Sequence, residues 1–205
     1  IAPLGVPHAA YTVLDVNQPV PDLPFDYPVV VKVLHEEIAH KTDVGGVVLP
    51  IHDATQLAEA MRRIVDNVAT HLPHLTVDKV LVQAMGKGLG EVLVGYRRDP
   101  DVGPLVMLAA GGILTEIYCD RAMRLAPVSV EQAREMVGEV KALKALAGYR
   151  GRQEGDLEAV AQAVSAFSQL ALQQDCQVLE AEMNPLLVKA KGEGVVAVDA
   201  LVRIA

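Results

Sequence analysis

The chain has 205 residues, of which 51% are hydrophobic, and it carries a formal net charge of −8 with a pI near 5.2. This length suits one large domain or two small lobes with a real core. The net negative charge argues against nucleic-acid binding, which depends on clustered Lys and Arg side chains. No apolar run reaches the roughly 18 residues of a membrane span, no export signal is visible, and two cysteines favour reduced thiols. We therefore expect a cytoplasmic protein without membrane contact.

The N-terminal third is predicted to contain three strands and a helix. Residues 1–28 are rich in proline, which restricts the backbone, and only Tyr11–Leu14 fits a short strand there. Two Val-rich runs, Pro28–Leu34 and Gly46–Ile51, are typical of strands buried on both faces. From Ala54 to Leu72 apolar residues recur at spacings of three and four, which predicts an amphipathic helix.

The middle of the chain is predicted to be strand-rich. Lys79–Met85 and Glu91–Arg98 are strand candidates, and the glycine-rich segment 86–90 between them favours a tight hairpin. Its G-x-G-x-G spacing, followed by a strand, does not fit a dinucleotide-binding fingerprint. Leu105–Ala110 and Ile113–Tyr118 continue the strand pattern.

The C-terminal part is predicted to be helical first and then to return to strands. Ser129 with Gln132 forms a capping box ahead of one helix, and Asp156 caps a second. Strands are predicted at 178–183, 186–188 and 195–198. This order of elements indicates an α+β protein with two lobes that divide near the hairpin.

The loop from His40 to Gly46 carries groups that suit a phosphate. Gly45 and Gly46 lack the Cβ that would hold a backbone away from an anion, and Lys41 and Thr42 supply donors. His40 can accept a phosphoryl group at nitrogen near neutral pH, or it can be an ordinary structural histidine.

Lys32 interrupts the first Val-rich strand. Desolvating an ammonium is costly, so a lysine in an inner strand needs an anion nearby. A lysine on an edge strand would instead extend its ammonium to water, and the sequence leaves both interpretations open.

Acidic and amide side chains near the C-terminus form a candidate cation site. Strand alternation puts Glu180, Glu182 and Asn184 on one face, and Asp199 closes a later apolar strand. Mg²⁺ prefers such oxygen ligands and completes its shell with phosphate and water. The alternative is a solvated acidic face.

These motifs, in this order, resemble the ATP-grasp domain of the NDP-forming acyl-CoA synthetases, which include ADP-forming acetyl-CoA synthetase β subunits and, more distantly, succinyl-CoA synthetase β. The likeness runs from about Leu4 to Ile204 and begins with Val31-Lys32 and the stretch from His40 to Val47. Further matching motifs are Val82–Met85, Glu91–Gly95, Arg98–Pro104, Gly111-Gly112 with Glu116, Arg124–Pro127, Gly148–Gly151, and Glu182–Pro185 with Asp199.

The resemblance implies an α+β ATP-grasp fold in which two lobes, 25–88 and 89–205, clamp a nucleotide after an N-terminal linker and short strand at 1–24. It implies ATP or ADP and Mg²⁺ as cofactors, and the backbone of residues 83–85 as the reader of adenine. The family's N-terminal helix is missing, and the segment from Asp15 to Tyr27 is short where the family carries a helix. The implied nucleotide contacts are Lys32, Lys41, Thr42, Gly45, Gly46, Gln83, Ala84, Met85 and Glu91; the implied metal ligands are Asn184 and Asp199; the implied catalytic residues are His40 and Glu182.

The implied reaction is acyl-CoA + ADP + phosphate in equilibrium with acid, CoA and ATP, with His40 as phosphoryl carrier. The implied partners are CoA-binding and CoA-ligase domains or an α subunit, within an oligomeric enzyme, and the chain alone is not expected to make acyl-CoA. One alternative is a catalytically silent, synthetase-like regulatory domain of a protein acetyltransferase. Another is an ATP-grasp ligase that forms carboxylate–amine bonds, which would not require the His40 loop.

Overall fold

A computed structural model describes residues 2–38, 40–111, 119–173 and 177–205. The chain forms two compact units. One consists of Ala9–Met85, and the other combines the N-terminal segment up to His8 with Gly86–Ala205. We call them the small unit and the large unit. The lobes predicted at 25–88 and 89–205 stay a prediction.

The small unit is a four-stranded antiparallel sheet with one helix. Its strands are β1 (Tyr11–Asp15), β2 (Val29–Val33), β3 (Val47–Ile51) and β4 (Lys79–Ala84), in the order β1-β4-β2-β3, and its helix is α1 (Ala54–His71). Asp53 caps the helix by accepting a hydrogen bond from the Gln56 backbone N–H at 2.8 Å. Alternation along β2 turns Val29, Val31 and Val33 toward the core that α1 covers.

The large unit is a six-stranded antiparallel sheet covered by helices. Five strands lie in the order β10-β8-β5-β6-β7, and β9 pairs with β8. Their bounds are β5 (Gly90–Asp99), β6 (Gly103–Ala110), β7 (Arg121–Leu125), β8 (Val178–Val188), β9 (Val195–Ala197) and β10 (Ala200–Ile204). The helices are α2 (Val130–Glu139) and α3 (Leu157–Ser168), with short 3₁₀ turns at Ala2–Leu4, Lys141–Leu146, Tyr149–Gly151 and Gln169–Leu172.

Side-chain hydrogen bonds to the backbone fix these two helices. Ser129 and Gln132 form the predicted capping box of α2, and Asp156 caps α3. The hydroxyl of Ser168 accepts a hydrogen bond from the Val128 backbone N–H at 2.9 Å, and the Ser165 hydroxyl donates to the Val128 carbonyl at 2.9 Å. The start of α2 is therefore tied to α3 at the level of the core.

Strand β8 contains a bulge at residues 184–185. Its pairing with β5 shifts from Val92 opposite Leu186 to Val94 opposite Met183, so two steps on β5 face three on β8. The extra residue keeps Met183 and Leu186 both in the helix-covered core. The two strands predicted at 178–183 and 186–188 are thus one continuous strand.

The prediction of a tight hairpin at residues 86–90 is wrong. Strands β4 and β5 belong to different sheets, and the segment instead runs along the end of β8, where the Leu89 N–H donates to the Val188 carbonyl at 2.8 Å. A Cβ on Gly88 would lie 3.1 Å from that same carbonyl oxygen. The glycines serve close packing rather than a tight turn.

The remaining predicted strands and the helix at 54–72 are confirmed to within one or two residues, and helices follow the predicted caps at Ser129 and Asp156. The run Gly46–Ile51 is not buried on both faces as predicted, because it forms the edge strand β3, in which Leu49 is 54% exposed. Strands β7 and β10 were not predicted. The predicted strand at 113–118, and Gly112 and Glu116 of the resemblance, lie outside the described residues. None of the helices that the structure describes is both long enough and apolar enough to span a membrane.

Candidate functional site

The predicted site residues are divided between the two units, which are described separately. The small unit carries the predicted phosphate loop, Lys32 and the stretch from Gln83 to Met85. The large unit carries Glu91, Glu182, Asn184 and Asp199.

Lys32 lies in an inner strand. Strand β2 is flanked by β4 and β3, Lys32 is paired with Leu81 and Val47, and its exposed fraction is only 6%. This excludes the edge-strand interpretation. A buried ammonium in the middle of a sheet is a strong local positive charge, which suits an anionic ligand.

The loop from His40 to Gly46 is held by its own backbone. The Gly46 N–H donates to the Lys41 carbonyl at 2.8 Å, the Gly45 N–H donates to the Thr42 carbonyl at 3.1 Å, and the Val33 N–H donates to the Gly46 carbonyl at 2.7 Å. The loop is therefore fastened to the strand that holds Lys32, while His40 itself is exposed.

Both glycines of this loop are required by the loop's own geometry. Gly45 has φ +63°, and a Cβ there would lie 2.6 Å from the Asn67 side-chain nitrogen, which donates to the Gly45 carbonyl at 2.9 Å. A Cβ on Gly46 would lie 2.6 Å from a Val33 methyl carbon and 2.9 Å from the Lys41 carbonyl oxygen. Their predicted contact with a phosphate stays a prediction, since internal packing already explains them.

The stretch from Gln83 to Met85 ends strand β4. The Ala84 N–H donates to the Ala10 carbonyl at 2.9 Å, and the Met85 N–H donates to the Pro28 carbonyl at 3.2 Å. Backbone recognition of a base at these two residues would therefore have to use their carbonyl groups. The Gln83 side chain is 5% exposed, and its Oε1 has no hydrogen-bond partner.

Glu91 is the second residue of strand β5; its side chain is exposed, and it lies opposite Leu187 of β8. Its carbonyl accepts a hydrogen bond from the Gly111 N–H at 2.7 Å, and a Cβ on Gly111 would lie 2.7 Å from the Glu91 backbone carbon. The Gly111 of the resemblance is thus needed for close backbone approach beside Glu91.

Asn184 and Asp199 are brought together beside the β8 bulge. The Asn184 N–H donates to the Asp199 carbonyl at 3.1 Å, and the Val198 N–H donates to the Pro185 carbonyl at 3.0 Å. The Asp199 carboxylate accepts from the Ala200 N–H at 3.0 Å. Bulges of this kind re-aim side chains next to functional sites.

Glu180 is not available as a third metal ligand beside Asn184 and Asp199, because its carboxylate forms an ion pair. It shares a sheet face with Glu182, as predicted, but the Arg203 guanidinium lies 3.1 Å from its carboxylate on the neighbouring strand β10. Glu180 and Asn184 are also four residues apart, or about 13 Å along a strand. The short apolar run Ala200–Ile204, interrupted by Arg203, was the overlooked signal for β10.

The donor set fits a hard cation. Among the described residues no three His, Cys, Asp or Glu side chains form a metal-holding group. One amide oxygen from Asn184 and one carboxylate from Asp199, with Glu182 two residues along the strand from Asn184, match the sparse protein ligation typical of Mg²⁺ bound with phosphates.

The sequence matches a family model described as an ATP-grasp domain over residues 4–204. It is 37% identical over 196 residues to acetate–CoA ligase [ADP-forming] I of Archaeoglobus fulgidus, covering 96% of this chain and 28% of that protein. It is 38% identical over 174 residues to the β subunit of acetate–CoA ligase [ADP-forming] I of Pyrococcus furiosus, covering 85% of this chain and 74% of that subunit. The chain therefore spans only part of these relatives.

The structure is similar to that of the dinucleotide forming acetyl-coenzyme A synthetase 1 of Ca. Korarchaeum cryptofilum, solved in complex with coenzyme A and Ca-AMPCP. The TM-score is 0.86 at 30% identity, over 100% of this chain and 89% of that chain. The same protein has been solved with coenzyme A and Mg-AMPPCP, with its phosphohistidine segment pointing towards the nucleotide binding site. The predicted α+β ATP-grasp fold is confirmed.

Proposed function

Because the chain belongs to the ATP-grasp domain family, we propose that it is the nucleotide-binding and phosphotransfer part of an ADP-forming acyl-CoA synthetase. The whole enzyme would interconvert acyl-CoA, ADP and phosphate with acid, CoA and ATP. The observation that carries this proposal is the buried Lys32, on an inner strand whose next residue is hydrogen-bonded to the His40–Gly46 loop. Phosphoryl transfer depends chiefly on neutralised charge and positioning, which such a strand and loop supply.

His40 is the proposed phosphoryl carrier. Its exposed imidazole adjoins Lys41, and a neutral imidazole nitrogen is nucleophilic near pH 7. In the direction of ATP synthesis, this nitrogen attacks the phosphorus of a phosphohistidine on a partner domain, so one N–P bond forms as the other breaks. An oxygen of the ADP β-phosphate then displaces His40 and forms the new P–O bond of ATP.

Asn184 and Asp199 would hold Mg²⁺, with Glu182 close by on the same strand. When bound, the ion supplies positive charge to the phosphate oxygens. The chain's own contribution is to fix both ligands through the backbone hydrogen bond between Asn184 and Asp199.

The proposed partner carries the CoA-binding and CoA-ligase functions, as separate domains or as an α subunit. The relatives support this, because the chain covers 28% of the A. fulgidus ligase and 74% of a P. furiosus β subunit. We expect no acyl-CoA formation by this chain alone.

The test is phosphoryl labelling. The full chain is incubated with γ-labelled ATP and MgCl₂, with and without a partner bearing the CoA-ligase domain, and protein-bound phosphate that is acid-labile and base-stable is measured. We expect His40→Asn to abolish the label on this chain, whereas His74→Asn, an exposed histidine of the same unit, retains it.

Undiminished labelling in His40→Asn would contradict the role of His40. ATP binding with no phosphoenzyme under any condition would instead favour the regulatory-domain alternative. Lys32→Met should lose ATP binding, while Lys79→Met, an exposed lysine on the same sheet, should not; equal affinities in these two variants would refute the phosphate contact.

A further inference from the structure

Strand β10 (Ala200–Ile204) is an open, apolar edge of the large sheet. Among the described residues no strand lies on its outer side, and all five of its residues are exposed. Val202 is 55% and Ile204 is 56% exposed, although both side chains are fully apolar. An exposed apolar edge strand offers its outward backbone groups to another strand. The large sheet can therefore be extended at β10.

The hydrogen bonds at the two ends of β10 show which of its backbone groups point toward β8. Just before the strand, the Asp199 carbonyl accepts from the Asn184 N–H at 3.1 Å. Just after it, the Ala205 N–H donates to the Gln177 carbonyl at 3.0 Å. Backbone groups alternate in direction along a strand, and both ends agree that the odd-numbered residues face β8.

The backbone groups of Ala200, Val202 and Ile204 therefore point outward. The Ala200 N–H is already used, because it donates to the Asp199 carboxylate at 3.0 Å. The outward donors that remain are the N–H groups of Val202 and Ile204. The outward acceptors include the carbonyl groups of Ala200 and Val202. The edge thus carries donors and acceptors at alternate positions, as strand pairing requires.

The other edges of the same sheet are protected against pairing. Strand β7 carries Arg121 and Arg124 within five residues, and charged side chains discourage the approach of a second sheet. The N–H of the last residue of β9 donates to the Pro7 carbonyl at 2.8 Å, so the N-terminal segment covers that edge. Strand β10 carries one charge, Arg203, and the Glu180 carboxylate 3.1 Å away offsets it. The edge at β10 lacks the protection that the other two have.

We propose that β10 is a self-association surface, which pairs with β10 of a second copy of this chain in antiparallel orientation, centred on Val202. The pairing continues the large sheet across a twofold axis and is independent of the proposed phosphotransfer function. Val202 then lies opposite Val202 of the second copy, and Ile204 lies opposite Ala200 of the second copy. The N–H of Val202 donates to the opposite Val202 carbonyl, and the N–H of Ile204 donates to the opposite Ala200 carbonyl. Each remaining outward donor meets an outward acceptor.

The side chains favour a second copy over a strand of unlike sequence. Ala200, Val202 and Ile204 form one row on the helix-covered face, since their neighbours on β8 lie in that core. The row is complementary to its own reverse, because the small Ala200 meets the larger Ile204 and the two valines meet at the centre. On the other face Arg203 lies opposite Leu201 of the second copy, so this register places no like charges directly opposite each other.

The test is the mass of the full chain as a function of concentration, by sedimentation equilibrium. A five-residue edge buries less than the roughly 1,200 to 2,000 Å² of stable complexes, so we expect a weak dimer with a dissociation constant of about 10 to 100 μM. Val202→Pro removes the central outward N–H without removing a bond to β8. Val202→Lys places two ammonium groups opposite each other. Both variants should raise the dissociation constant at least about tenfold.

The matched control is Val102→Lys. Val102 is a 58% exposed valine of the same unit, in the turn between β5 and β6, so the variant adds the same charge away from β10. We expect its dissociation constant to stay within about twofold of wild type. Melting curves check that each variant is folded, and if Val202→Pro is not, Val202→Lys decides by the same criterion.

Disulfide formation tests the register. Directly opposite residues that exchange hydrogen bonds have Cα atoms about 5.5 Å apart, so the thiols introduced by Val202→Cys should link two copies under mild oxidation. In the same register Leu201 lies about 8 Å from its counterpart, which is too far for a disulfide, so Leu201→Cys should not link them. The two variants share the native cysteines, so their difference reports only the position of the added thiol.

A wild-type chain that stays monomeric up to about 500 μM would overturn the inference. A dimer that neither Val202→Pro nor Val202→Lys weakens would also overturn it, because another surface would then hold the copies together. Linkage by Leu201→Cys without linkage by Val202→Cys would rule out the pairing centred on Val202. Phosphoryl labelling of His40 tests the proposed function separately, so neither result decides the other.

Discussion

Replacing Gly46 by alanine should open the loop that holds His40. The added methyl would lie 2.6 Å from a Val33 methyl carbon and 2.9 Å from the Lys41 carbonyl oxygen, well inside contact distance. The backbone can escape only by weakening two hydrogen bonds, from the Gly46 N–H to the Lys41 carbonyl and from the Val33 N–H to the Gly46 carbonyl. Overpacking costs about 1 to 3 kcal/mol and each of the two lost hydrogen bonds about 1 kcal/mol, so we expect a total of about 3 to 5 kcal/mol.

Urea unfolding, with hydrogen exchange of the loop amides, measures this loss. Gly138→Ala is the matched control, because no atom lies within 4 Å of its added methyl in helix α2 and the change should stabilise the protein by about 0.5 to 1 kcal/mol. A Gly46→Ala protein within about 0.5 kcal/mol of wild type would refute the packing argument. Phosphate labelling of His40 should fall along with loop protection.

Three further outcomes are expected. Ser168→Ala leaves the buried Val128 N–H unpaired and should lower the free energy of unfolding by about 1 to 3 kcal/mol in urea titrations. Burial acts to raise the pKa of the Asp156 carboxyl, but hydrogen bonds from three backbone N–H groups outweigh burial, so the net pKa is lowered. The ionised carboxylate therefore stabilises the fold at neutral pH, and this stabilisation is lost as pH falls below about 4. We expect Asp156→Asn to show a smaller acid-induced decrease in melting temperature than wild type. Asp199→Ala should raise the Kd for Mg-ADP by about tenfold or more in calorimetry, through loss of a charged ligand.

Local patterns in the sequence predicted most of the elements because each pattern has a direct physical cause. The spacing of apolar residues in 54–72 and the capping pairs at Ser129 and Asp156 fix helices within a few residues, without help from the rest of the chain. The hairpin at 86–90 failed because glycine has two uses. It permits tight turns and it permits close packing, and only the tertiary partner, Val188, distinguishes them.

The sequence allowed the residue types of the candidate site to be predicted, but not which strands and side chains lie next to them. Lys32 was visible as a charge in an apolar run, yet its position in an inner strand depends on a strand order that sequence does not give. Glu180 and Glu182 read alike in the sequence, and only strand β10 separates them by bringing Arg203 to Glu180. The Gln83 acceptor was hidden for the same reason, since burial of a side chain depends on neighbours far along the chain.

The bulge makes β8 less regular than its pairing with β5 requires, at the position of the candidate metal ligand Asn184. Deleting Pro185 would restore a regular ladder between β8 and β5, with Met183 and Leu186 still in the core. On the other side of β8, the three steps from Ala197 to Ala200 would then face only two, so the irregularity would move to the pairing with β9 and β10. The variant would also lose the hydrogen bond from the Val198 N–H to the Pro185 carbonyl, which helps to hold Asp199 beside Asn184. We therefore expect the deletion to leave a folded sheet but to weaken binding of Mg-ADP, with urea unfolding and calorimetry as the two measurements.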